Sequence, residues 1–143
     1  MTPLDLTQRP PRSPREELGG LCMLPRMIDV ARAKLPGGNI GDYQIGRGMS
    51  GRVLAHLGME TAEFVECVRT APDDEAVAAQ LCGRRTKIEN RALSLGLRRV
   101  TVADVPADLR PSFERFYGAD IPPSKRVFDI LEEDDAKAFE SRK

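Results

Sequence analysis

The chain has no tryptophan, one histidine, two tyrosines and five phenylalanines in 143 residues. With His56 as the only imidazole, neither Glu60 four residues on nor Cys67 completes a ligand set of known metal-site spacing. Ser/His/Asp catalysis depends on the same histidine and lacks a GxSxG elbow. The three cysteines, Cys22, Cys67 and Cys82, are odd in number and widely spaced. They form no CxxC pair and no disulfide framework, so they read as reduced, mostly buried small hydrophobes. Cys82 precedes Gly83-Arg84-Arg85, where nearby cations favour a lowered thiol pKa. Neither sign of charge is in excess, since 22 basic and 22 acidic side chains cancel. A neutral chain with few aromatics puts nucleic-acid binding last among the function classes. No apolar run approaches the ~18 residues of a membrane span. No basic start followed by an apolar stretch marks a signal peptide, so the expected location is cytoplasmic.

Arginine and proline, by contrast, are concentrated at the start. Leu6-Thr7-Gln8-Arg9-Pro10-Pro11-Arg12-Ser13-Pro14-Arg15 sets an arginine at every third position with prolines between. Proline fixes φ and removes donors, so residues 1–12 are expected to be an extended arm. Ser13-Pro14-Arg15-Glu16 carries a helix-start signature, with serine as N-cap, proline at N1 and glutamate completing a capping box. Gly19-Gly20 then ends that turn almost at once. A helix is expected from Leu24-Pro25 to about Leu35, stopped by Pro36-Gly37-Gly38. Leu24, Met27, Ile28, Ala31 and Leu35 form its apolar stripe. Arg26, Asp29 and Arg32 lie off the stripe at successive i, i+3 steps, a spacing that lets Asp29 pair with both arginines.

Six glycines fall between Gly37 and Gly51, a loop in which backbone can approach a partner closely. Tyr43 and Ile45 alternate with polar residues, so a short β segment near 43–47 is compatible with the pattern. Phosphate-loop motifs are missing in the strand-to-helix setting they require. Short helices are expected over Gly51–Leu57, Thr61–Arg69, Asp73–Leu81, Thr86–Leu95 (closed by Gly96) and Pro106–Tyr117, with a last helix from Pro122-Pro123-Ser124. Its apolar side is Val127, Phe128, Leu131 and Phe139. Val100, Val102 and Val105 suit a short strand or a buried turn. The expected fold is mainly α, one small domain over 1–143, with the arm at 1–12 and a helical body at 13–143.

The segment LTQRPPRSPREELGG, then LPRMIDVARAKLPG and Gly41-Asp42-Tyr43, resembles an uncharacterised bacterial family classed as a domain of unknown function. The pattern is close to LTxRPPRSPRxxLGG, LPRxxDxARA and GxY, strong over residues 4–43. It is weaker through Arg52, Leu54, Leu57-Gly58 and Asp73–Val77, and returns faintly at Phe128–Leu131. The resemblance implies a small, mainly helical bacterial domain and brings no activity with it. After the tyrosine, relatives tend to carry a Cys-Pro-Leu-Asp-like turn. Here Arg47-Gly48-Met49-Ser50 takes its place, and the tryptophan common in relatives' later helices is missing.

Arginine forks bind carboxylate or phosphate in bidentate fashion, and a helix N-terminus adds a fixed attraction for anions. The leading expectation is therefore a small-molecule anion-binding domain, or a metal-independent enzyme acting on a carboxylated or phosphorylated metabolite. Arg9, Arg12, Ser13, Arg15 and Arg26 would hold the anion, and Arg32 would orient Asp29. Asp29 or Tyr43 would be the catalytic acid/base. No metal or organic cofactor is implied. The competing structural expectation is that the arginines pin the arm to the acidic cluster Glu132, Glu133, Asp134 and Asp135. The alternative function is an interaction or assembly module that docks or self-associates through the arm, where Pro11-Arg12-Ser13-Pro14 forms a PxxP.

Overall fold

In a computed structural model that describes residues 1–140, the chain forms seven α-helices and one two-stranded hairpin among those residues. The hairpin stands where the sequence predicts a helix start. β1 (Glu17–Leu18) pairs antiparallel with β2 (Leu21–Cys22) across Gly19-Gly20. Both glycines have positive φ, 60° and 83°. Two consecutive left-handed residues make the tight turn whose twist matches paired strands. Half of the expected capping box forms: the Ser13 N–H donates to Glu16 Oε2 (3.3 Å), but Ser13 Oγ accepts the Arg15 N–H (3.1 Å), and the Glu16 N–H donates to the Ser13 carbonyl (3.1 Å). They close an isolated turn, because one turn of helix is a costly nucleus and Gly19-Gly20 blocks its extension.

α1 (Leu24–Ala33) is the central helix, with Pro25 in its first turn. Met23 before it is the one non-glycine residue with positive φ (71°) among those described. Its N–H donates to the Pro14 carbonyl (2.9 Å) and its side chain is buried, which holds a conformation that otherwise costs about 1–2 kcal/mol. Nine of the ten α1 residues are buried, including Arg26 and Asp29, so the side off the apolar stripe is covered as well.

The covering elements follow in chain order. α2 (Gly48–Leu57) and α3 (Thr61–Thr70) are separated by Gly58, and Glu60 and Glu63 form a reciprocal capping box at the start of α3. α4 (Asp74–Leu81) is capped by Asp73, whose carboxylate accepts the Ala76 N–H at 2.9 Å. α5 (Lys87–Arg99) opens on a Thr86/Glu89 capping box. It runs through Gly96, the expected stop, to Arg99, because nothing there requires a left-handed residue. The valine segment becomes a 3₁₀ turn at Val102–Asp104, tied by a Thr101–Arg126 bridge and by Arg110, which donates to the carbonyls of Val102, Ala103 and Val105. α6 (Arg110–Tyr117) and α7 (Val127–Ala138) complete the body.

Phe64, Phe128, Leu24, Met27, Ile28, Val53, Val68, Val77, Leu81 and Leu97 form the main core around α1. Each large side chain removed from water contributes about 1.5–3 kcal/mol. The arm is neither extended throughout nor a free tail: residues 6–8 form a turn in which the Gln8 N–H donates to the Asp5 carbonyl (3.3 Å). The Leu6 N–H donates to the Asn39 carbonyl (2.8 Å) and the Asn39 N–H to the Leu4 carbonyl (2.9 Å). Leu6 is buried with Val30 and Ala33, and Ile40, Tyr43 and Ile45 pack on them. Residues 43–47 are not a strand, contrary to the alternation there. Residues 45–47 form bends, and Asn39 provides the extended pairing with the arm. No described helix is long and apolar enough to cross a membrane.

Candidate functional site

The two prolines before Arg12 hold the arm extended across α1, which brings the Arg12 main chain onto Asp29. The Arg12 N–H donates to Asp29 Oδ2 (2.8 Å), and its guanidinium donates to both Asp29 oxygens at 3.1 Å. The same guanidinium reaches Asp74 at the start of α4 (2.6 and 3.3 Å) and the Pro25 carbonyl (3.2 Å). Burial works against the Arg12 charge, but hydrogen bonds to Asp74 and Asp29 outweigh it and raise the pKa above the ordinary arginine value. Asp29 thus pairs with the arm, and the expected ladder from Asp29 to Arg26 and Arg32 does not form.

Arg26 forms the most enclosed ion pair. Its guanidinium holds Asp135 of α7 in bidentate fashion (2.7 and 3.2 Å) and donates to the Arg12 carbonyl (3.2 Å). The two side chains are only 8% and 10% exposed. Tyr43 donates to Asp135 Oδ1 (2.9 Å), and the Arg26 guanidinium lies 5.5 Å from the Tyr43 ring centroid. Burial first, and then the Asp135 charge and hydrogen bond, push the Tyr43 phenol well above its usual pKa. Arg15 bonds Asp129 (2.5 Å) and Glu132, and its guanidinium lies 5.9 Å from the Phe128 ring centroid. Ser13 donates to Glu132 (2.9 Å). No buried side-chain nitrogen or oxygen among the described residues lacks a partner.

The structure therefore gathers Arg12, Ser13, Arg15, Arg26, Asp29 and Tyr43 around three acidic partners on α7 and one on α4. Arg9 stays exposed and apart, and Arg32 is tied to Thr2, through the carbonyl and Oγ1 at 2.8 Å each. The expected anion site at the Ser13–Glu16 helix start has no helix behind it. Asp135 has a signal in the sequence: it lies seven residues from Phe128 and four from Leu131, on the inward stripe of α7 rather than on a solvated face. His56 lies 2.8 Å from the Asn90 side chain through Nε2, and the Cys82 thiol is pushed up by burial rather than lowered by its arginines.

Residues 8–135 match a family model described as Domain of unknown function (DUF5069). The chain belongs to this family. A search of curated proteins finds no match. The DUF5069 segment takes in every ionic partner just described from Arg12 to Asp135, and leaves out Thr2, the partner of Arg32.

Beside the network lies an open cleft of about 310 Å³, lined by Lys34, Ile40, Tyr43, Gln44, Ile45 and Arg47. Lys34 is the C-cap of α1, and Arg47 is the N-cap of α2. No side chain caps the first amides of α2, and no acid lies in its first turn. Lys34 and Arg47 are exposed and make no ion pair among the described residues. The sequence reading passed over these two cations. They flank the glycine-rich loop that folds back under the arm, and this return brings residues thirteen apart to one cleft.

Proposed function

We propose that this domain binds a small carboxylated or phosphorylated metabolite, and that the anion seats in the cleft between Lys34 and Arg47. One observation carries the reading: these two cations share a cleft and lack acidic partners among the described residues, whereas Arg12, Arg15 and Arg26 are neutralised by neighbouring carboxylates. Arginine offers a planar fork to an oxyanion, lysine adds a point charge, and the uncapped start of α2 adds a favourable dipole. Tyr43, Ile40 and Ile45 add apolar surface to the cleft lining, while the Gln44 amide supplies donors and an acceptor. In this reading the arm motif is the scaffold, and the loop it supports is the receptor.

Of the expected acid/base pair, Asp29 is committed to Arg12, and the Tyr43 phenol is held protonated with its hydrogen on Asp135. A phenol so placed orients the cleft wall. The favoured role is therefore recognition, with turnover a separate question for any ligand found.

The test is thermal unfolding with citrate, phosphoenolpyruvate and inorganic phosphate, on the native chain and on Lys34→Ala/Arg47→Ala. A ligand of the folded state raises the Tm by mass action. Losing charge-assisted bonds of about 1.5–3 kcal/mol each should weaken binding at least tenfold. An unchanged ligand-induced shift in the double variant, or no shift with any probe, defeats the reading.

A further inference from the structure

The zero net charge hides two opposed segments. Residues 84–99 hold six cationic side chains and one acidic, whereas residues 60–75 hold six acidic side chains and one cationic. The first segment includes α5, whose inward side is Asn90, Ser94 and Leu97. Its outward side, by helical spacing, is Ile88, Arg91, Ala92, Leu95 and Arg99. Ile88 is 82% exposed and Leu95 49%, two of the four large exposed hydrophobic side chains among the described residues. Arg85 is paired with Glu89, and Arg98 with Glu17. Lys87, Arg91 and Arg99 make no ion pair among the described residues.

An apolar pair set among unpaired cations is a surface for an acidic partner that also covers hydrocarbon. The matching chemistry is present on the same chain. Glu60, Glu63 and Glu75 are exposed on α3 and at the start of α4 and meet no cation among the described residues. Exposed Ala62 and half-buried Val65 lie beside them on α3. Lys87, Arg91 and Arg99 on one segment and Glu60, Glu63 and Glu75 on the other are charges left without an ion pair among the described residues, so contact between copies brings opposite signs together.

We propose that the outward face of α5 is a self-association surface that docks on the acidic α3–α4 face of a second copy of this chain. Ile88 and Leu95 supply the apolar centre, with Lys87, Arg91 and Arg99 opposite Glu60, Glu63 and Glu75. Exposed long-range pairs are screened by salt, with a Debye length of about 10 Å at 0.1 M, so the association weakens as salt rises. This surface is separate from the Lys34–Arg47 cleft, and either proposal can fail without the other.

The experiment is sedimentation velocity on the full chain over a range of concentrations, at low and high salt. Three variants accompany it: Ile88→Glu, Lys87→Glu/Arg91→Glu, and Glu63→Lys/Glu75→Lys. All substituted side chains are exposed, but Glu63→Lys also removes half of the α3 capping box, so circular dichroism melts establish that each variant folds before its association is read. The expected result is a concentration-dependent assembly at low salt that dissociates at high salt. Each variant alone should be monomeric, and an equal mixture of the two charge-reversed variants should associate again. A native chain that stays monomeric at low salt overturns the proposal. So does an assembly that survives Ile88→Glu, or a mixture that fails to associate. A monomer that cosediments with phosphatidylglycerol vesicles through α5 also overturns it and assigns the face to anionic lipid.

Discussion

Arg26 carries the largest share of the buried electrostatics. Its charge and that of Asp135 are taken from water together, and each survives burial because the other is within hydrogen-bond reach. Such a pair adds little net stability, but breaking it leaves an uncompensated charge at a cost of about 3–5 kcal/mol. Arg26→Ala should therefore lower the Tm by roughly 10–20 °C. Arg26→Met combined with Asp135→Leu should recover most of that loss, since no charge is then left buried alone. Chemical denaturation of the three proteins measures this, and a single-variant loss under ~1 kcal/mol refutes the account. The sequence names Asp135 within the run Glu132-Glu133-Asp134-Asp135, expected to meet the arm's arginines, but the run does not show which of the four is buried. The helical phase of Asp135, set by Phe128, is what turns it inward.

Two glycines separate what local sequence decides from what neighbours decide in the helices and the hairpin. Gly96 lies inside α5, and a methyl group added there meets nothing within 4 Å. Gly96→Ala should stabilise the domain by about 0.4–1 kcal/mol, because glycine is a poor helix former and the site has room. Gly19 has φ +60°, and an added Cβ would fall 2.3 Å from Cys82 Sγ. Gly19→Ala should cost more than ~1 kcal/mol by straining the hairpin and displacing α4. Urea unfolding of both variants tests the pair, and the same sign for both contradicts this description. The expected helix starts at Asp73 and Thr86 fall one residue before α4 and α5, where each of the two side chains caps its helix. The sequence misleads at Ser13–Glu16 because the same four residues satisfy a cap and an isolated turn equally well.

At the scale of the whole molecule a charged layer joins the arm, α1, the glycine-rich loop, α4 and α7 beside the apolar core. The pH response of folding reflects this. Asp134 sits beside that layer, and burial, followed by the Asp135 charge, raises its pKa, while Arg26 and Lys137 act against the rise. A carboxyl whose folded pKa is above its unfolded value binds its proton more tightly in the native state. Its ionisation therefore costs stability at neutral pH, and the cost disappears as pH falls below both values. Asp134→Asn should raise the Tm at pH 7 and leave it unchanged at a pH low enough to protonate the native carboxyl. A lower Tm at pH 7 contradicts this. Tyr43 works the same way at the alkaline end: its raised pKa makes the native phenol resist ionisation, so its contribution is lost as pH climbs past the ordinary phenol range.

By itself the sequence determined the helical class, most helix boundaries and the family pattern, because caps, prolines and apolar stripes act over a few residues. Tertiary structure decided which side each charge faces. Asp29 meets Arg12 rather than its own helix, Asp135 meets Arg26 across 109 positions, and Lys34 and Arg47 come to one cleft through a folded loop. Local spacing fixes where a side chain sits on its element. What it meets there depends on which elements bury their apolar faces together, and that is a property of the packed chain.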